Sequence, residues 1–128
     1  MTVLLYFVAA LLTTGLCGCG DGSVSPHPVD AEVARETLHT VLEGWKSGVE
    51  LDAWREQHAD ITVQDMDWHF GNKLQAFTIL SGARAVDANL RCDVQLIILD
   101  PQGNKSQKTV TYLVGTSPRT TVFREMIP

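Results

Sequence analysis

The chain has only three cysteines in 128 residues, no cluster of lysine and arginine, and no apolar run long enough to span a bilayer. Each shortage excludes a class. Cys17 and Cys19 form a C-x-C pair, and Cys92 alone is left to complete a redox or metal site, too few for either. A net charge of −5 without a basic patch argues against nucleic acid as a partner. The catalytic signatures G-x-S-x-G, G-x-x-x-x-G-K-[ST] and H-E-x-x-H are all missing. No residue pattern calls for a cofactor, and the chain reads as a binding or structural module more than an enzyme.

What is present begins with VLLYFVAALL, residues 3–12, an uncharged apolar run that gives way to small residues at Thr13–Gly18. A membrane-spanning helix needs about 20 apolar residues, and counting through Leu16 this segment offers 14. A short apolar core followed by small residues has the layout of a secretory signal peptide.

Leu16-Cys17-Gly18-Cys19 resembles the lipobox of bacterial lipoproteins, with Leu three places before the modified cysteine and Gly just before it. The resemblance implies cleavage after residue 18, a diacylglyceryl group on Cys19, and loss of Cys17 with the leader. Gly20 stands where an Asp would resemble an inner-membrane retention signal, so the resemblance favours the outer membrane. The expected partner is therefore the membrane, through lipid at Cys19, with another envelope protein as a candidate. Residues 1–18 are expected to be signal peptide, 19–29 anchor and Gly/Ser/Pro linker, and 30–128 a single domain.

Charge divides that domain. Residues 21–67 hold eleven acids and three bases, whereas residues 68–128 hold four acids and seven bases. An acidic helical half packed on a mildly basic sheet accounts for the split. Asp30 is placed to cap a helix running to about Ser47, with Val33, Ala34, Thr37, Leu38, Val41, Leu42 and Trp45 on one stripe. Gly44 interrupts it at a penalty of about 1 kcal/mol relative to Ala, which points to close approach by a neighbour. Leu51–His58 reads as a short second helix. The period then changes to two. Strands are expected at Ile61–Asp65, Lys73–Ser81, Asn89–Asp100, Ser106–Gly115 and Thr120–Arg124, with a turn at Asp100–Asn104. Cys92 falls in the apolar alternation of the longest strand and should be buried.

Helices followed by strands predict an α+β fold: an N-terminal helix and a short second one on a curved antiparallel meander of four to five strands. This element order is similar to the cystatin-like folds, including the nuclear-transport-factor-like group. That likeness implies, as the alternative to a plain binding module, a small-molecule-binding or enzymatic domain with a pocket between helix and sheet.

Two residue groups are candidate sites. If the chain is extended at Asp65-Met66-Asp67-Trp68-His69, then Asp65, Asp67 and His69 share a face and offer a polar or cation site, with Met66 and Trp68 turned inward. Trp45, Trp68 and Tyr112 are candidates for a pocket lining, although packing in the core is the favoured role of the tryptophans, because Trp45 and Trp54 lie at helical positions already apolar. Ile97 and Leu99 lie on the opposite parity from Leu96 and Ile98 and hint at an apolar patch on the sheet's outer face.

Overall fold

Asp30 starts the first helix as its sequence position requires: extended at φ −79°, ψ 103°, it accepts the Val33 N–H on its side chain at 3.1 Å. The computed structural model describes residues 28–126. The expected signal peptide, residue Cys19 and the expected linker up to residue 27 lie outside the described residues. Helix α1 (Ala31–Lys46) buries Ala34, Leu38, Val41, Leu42 and Trp45 at spacings of three and four. Val33 lies at the edge of the stripe and is exposed. Gly48, at φ +91°, turns the chain out of the helix where a side chain would be strained.

Helix α2 (Leu51–Gln57) inserts Leu51 and Trp54 under α1. His58 closes it, half-buried, with its ring parallel to Trp54 at 4.1 Å between centroids. Strand β1 (Ile61–Gln64) follows, then a four-residue helix, α3 (Met66–His69). The remaining strands are β2 (Lys73–Ile79), β3 (Arg84–Val86), β4 (Asn89–Leu99), β5 (Lys105–Gly115) and β6 (Thr120–Arg124).

The fold is α+β, with six strands among the described residues where the sequence suggested four to five. The additional strand, β3, forms a tight hairpin with the start of β4 around Asp87 at φ 54°. Strand order is β1-β6-β5-β4-β2, and β1 runs parallel to β6 at one edge. The sheet is thus not a pure antiparallel meander. Its first and last strands are neighbours because α3 and the four intervening strands return the chain to the same edge. Helix α1 lies across β2, β5 and β6 and covers the concave face. Leu90, Cys92, Val94, Leu96 and Ile98 on β4, with Val110, Tyr112 and Val114 on β5, form the sheet's side of the core. No helix among the described residues is long and apolar enough to cross a membrane.

Candidate functional site

Parity places the polar cluster. The β4–β5 register pairs Cys92 with Tyr112, Val94 with Val110 and Leu96 with Lys108, so Lys108 shares the concave face with the core. Across β5 and β6, Tyr112 pairs with Arg124 and Val114 with Val122. Across β1 and β6, Val63 pairs with Val122, which brings Asp65, two residues further on, beside Arg124. Lys108, Tyr112, Arg124 and Asp65 therefore converge at one end of the concave face.

Asp65 follows β1 directly and caps α3, accepting the Trp68 N–H at 3.2 Å. The same carboxylate accepts the Tyr112 hydroxyl and lies 3.2 Å from the Arg124 guanidinium. Asp67 accepts from Asn72 at 2.8 Å and from Lys108 at 2.8 Å, and closes a second ion pair with Arg124. The result is an alternating chain, Lys108–Asp67–Arg124–Asp65–Tyr112, that satisfies each carboxylate in a low-dielectric setting.

The ionisation states follow from this arrangement. Burial acts to raise the Asp67 pKa, but hydrogen bonds from Lys108, Arg124 and Asn72 outweigh it and hold the carboxyl below its usual range. Burial drives the Tyr112 phenol well above its ordinary value, and the adjacent Asp65 charge and hydrogen bond push it further. Burial disfavours the Arg124 charge, yet the Asp67 hydrogen bond and the Asp65 charge reverse that and raise its pKa. Asp67 and Arg124 are therefore charged at neutral pH, beside a neutral Tyr112 phenol.

This cluster walls a cavity of about 540 Å³ between α3 and the β5–β6 end of the sheet. Arg55, Gln64, Met66, His69, Phe70, Val110, Glu125 and Met126 complete much of the lining. Apolar side chains stand open around it: Met66 is 45% exposed, Phe70 65% and Met126 68%. Arg55 caps the outer side, donating Nε and Nη2 to the Val63 carbonyl at 3.3 and 2.8 Å. At 540 Å³ the space matches pockets that hold small molecules.

The first candidate group is brought together only in part. Asp65 and Asp67 do meet, but through Arg124, because residues 66–69 form a helical turn instead of continuing the strand. Met66 consequently points outward, not into the core. His69 lines the same cavity with its ring edge-on to Phe70 at 5.3 Å, away from the carboxylates. Among the described residues no three His, Cys, Asp or Glu side chains are placed to hold a metal ion.

The second group does not form one pocket. Trp45 and Trp68 stack at 5.7 Å and wall a recess of only about 80 Å³. Their indole N–H groups donate to the Asn72 and Val49 carbonyls, each at 2.8 Å. Tyr112 is buried and turned to Asp65 instead. The tryptophans are core residues, joined by Trp54, whose ring lies 5.9 Å from Trp68.

On the outer face Ile97 and Leu99 are half-buried. The Asp93–Thr111 hydrogen bond, 2.6 Å, and the Gln95–Thr109 pair separate them from Leu113 and Phe123. Lys108 and Arg124 escaped the sequence reading. Their signal was a charge at the apolar parity of a strand, twice, on what prove to be neighbouring strands. No family model matches the chain, and no curated protein or solved structure matches it either.

Proposed function

We propose that the chain is a lipid-anchored domain of the bacterial cell envelope that holds a ligand in the cavity walled by Asp65, Arg124 and Lys108, without transforming it. The lipobox-like Leu16–Cys19 supports the location, with the outer membrane favoured, and the Gly/Ser/Pro linker would keep the domain near the lipid surface. The observation that carries the binding role is the cavity itself, about 540 Å³ with an ion-paired cluster in its wall and exposed Met66, Phe70 and Met126 around it.

Binding is favoured over catalysis because both carboxylates are engaged by cations. A carboxyl held below its usual pKa, as Asp67 is, makes a poor proton acceptor at neutral pH.

Two measurements test the reading. Intact mass of the mature protein should correspond to a chain beginning at an acylated Cys19; an unmodified sulfur there removes the envelope anchor. A photoreactive residue in place of Phe70 should yield a discrete adduct in intact cells, and one in place of the exposed Val33 should not. Equal labelling at the two positions removes the binding role.

A further inference from the structure

Resting on that reading, the hydrogen-bond inventory of the cavity wall points to the ligand's chemistry. Three carboxylates line the cavity or reach into its wall, and all six oxygens already accept. Asp65 takes Trp68 N–H and Arg124 on one oxygen and Tyr112 on the other. Asp67 takes Asn72 on one, and Lys108 and Arg124 on the other. Glu125 takes Arg91 on both, at 2.9 and 2.6 Å.

The donors are not used up in the same way. Arg124 contacts Asp65 and Asp67 through Nη1 alone, and its Nε and Nη2 have no acceptor among the described residues. A guanidinium has five N–H groups in a fixed fork, so a whole edge of it remains open. Lys108 meets Asp67 with one of three ammonium hydrogens and has no other acceptor among the described residues. A wall whose acceptors are engaged and whose donors are open selects a ligand that supplies acceptors.

We infer that the cavity takes an amphipathic carboxylate, its head on the open edge of Arg124 and on Lys108 and its apolar body against Met66, Phe70 and Met126. A carboxylate offers two oxygens at the spacing of an Nε–Nη2 edge. A single negative charge fits better than two. Arg55, Arg91, Lys108 and Arg124 are balanced by Asp52, Asp65, Asp67 and Glu125, their ion-pair partners. Attraction thus comes from directed donors, not from a surplus of positive charge. The apolar body gains from covering the exposed side chains at the rim, as burial of apolar surface does elsewhere.

The test uses the full chain with methyl-labelled methionine, since Met66 and Met126 are two of its three methionines. Octanoate, octan-1-ol and octylamine are titrated while these two methyl signals are followed. Octanoate is expected to bind about tenfold or more tighter than the alcohol, the fold-change of one ordinary charge-assisted hydrogen bond, and the amine weakest. Lys108→Met should reduce the preference for octanoate over octan-1-ol severalfold while the Arg124 edge keeps part of it, an unchanged preference counting against a head seated on Lys108, and Phe70→Ser should weaken both equally. Lys108 lies at the surface end of the cluster, so its variant is expected to fold, and an unchanged spectrum away from the cavity checks this. Octanol binding as tightly as octanoate overturns the carboxylate assignment while leaving the cavity a binding site. Unmoved methyl signals with all three amphiphiles overturn both.

Discussion

Replacing Gly44 by Ala sets two well-calibrated effects against each other. In an isolated helix the change is favourable by about 1 kcal/mol, because glycine has the greater backbone freedom to lose. In this fold a Cβ at position 44 would lie 2.3 Å from Trp54 Nε1 and 2.5 Å from its Cδ1. Non-bonded carbon contacts sit near 3.5–4.0 Å, so α1 and the indole would have to separate by roughly 1 Å or more. The indole has little room to yield: Trp54 is 2% exposed, with His58 flat on it at 4.1 Å and Trp68 against it at 5.9 Å. Overpacking of a filled core costs about 1–3 kcal/mol, and a rigid ring belongs at the upper end. Net destabilisation of about 2 kcal/mol is expected, a fall of roughly 1 M in urea midpoint for a domain of this size. Urea unfolding followed by tryptophan fluorescence measures it. A midpoint that rises instead, as helix propensity alone requires, would refute the reasoning. In a Trp54→Leu background the same Gly44→Ala change should be neutral or stabilising, which isolates the coupling between the two positions.

Asp65→Asn leaves Arg124 with one carboxylate and should destabilise by about 2–3 kcal/mol, whereas Tyr112→Phe should cost about 1–2 kcal/mol. Because the hydroxyl acts through Asp65, the double variant should lose less than the sum in chemical denaturation, and strict additivity would count against the bond. Asp67, whose folded-state pKa is depressed, contributes stability that is complete above the unfolded carboxylate pKa and lost as pH falls through the folded value. Urea midpoints between about pH 5 and pH 2 should therefore decline less steeply in Asp67→Asn than in the parent; parallel curves would contradict the ion pairing. Burial raises the Cys92 thiol above its usual pKa, and the side chain has no exposed surface. Peptide mapping after alkylation should find Cys92 unmodified in the native protein and modified in urea, and ready native labelling would be inconsistent with this packing.

The elements with strong local periodicity were legible from residues alone. The α1 stripe and the alternation on β4 are repeated signals, each reinforced over three or more turns or pairs, and Asp30 marks where the first of them starts. The close approach at Gly44 was legible too, since a glycine in a helix interior wants a reason. Residues 65–69 were misjudged because five residues carry too little period to separate a strand from one helical turn. The Asp65 side chain, accepting the Trp68 N–H, decides for the turn. β3 went unseen for a similar reason: Arg84–Val86 is three residues, all exposed, and is a strand only because β4 pairs with it.

The candidate site divides along the same line. Asp65 and Asp67 stood out as neighbouring carboxylates, but their ion-pair partners lie 41 to 59 residues away in sequence. No local pattern joins Lys108 to Asp67 or Arg124 to Asp65. That joining depends on the parallel placement of β1 beside β6 and on the register Tyr112↔Arg124. Sequence by itself determined the α+β class and the burial of each long periodic element. Only the tertiary structure decided which charges neutralise one another and where a cavity opens. Periodicity reports which side of an element meets the core, whereas a site is built where elements distant in sequence meet, and their pairing carries no period of its own.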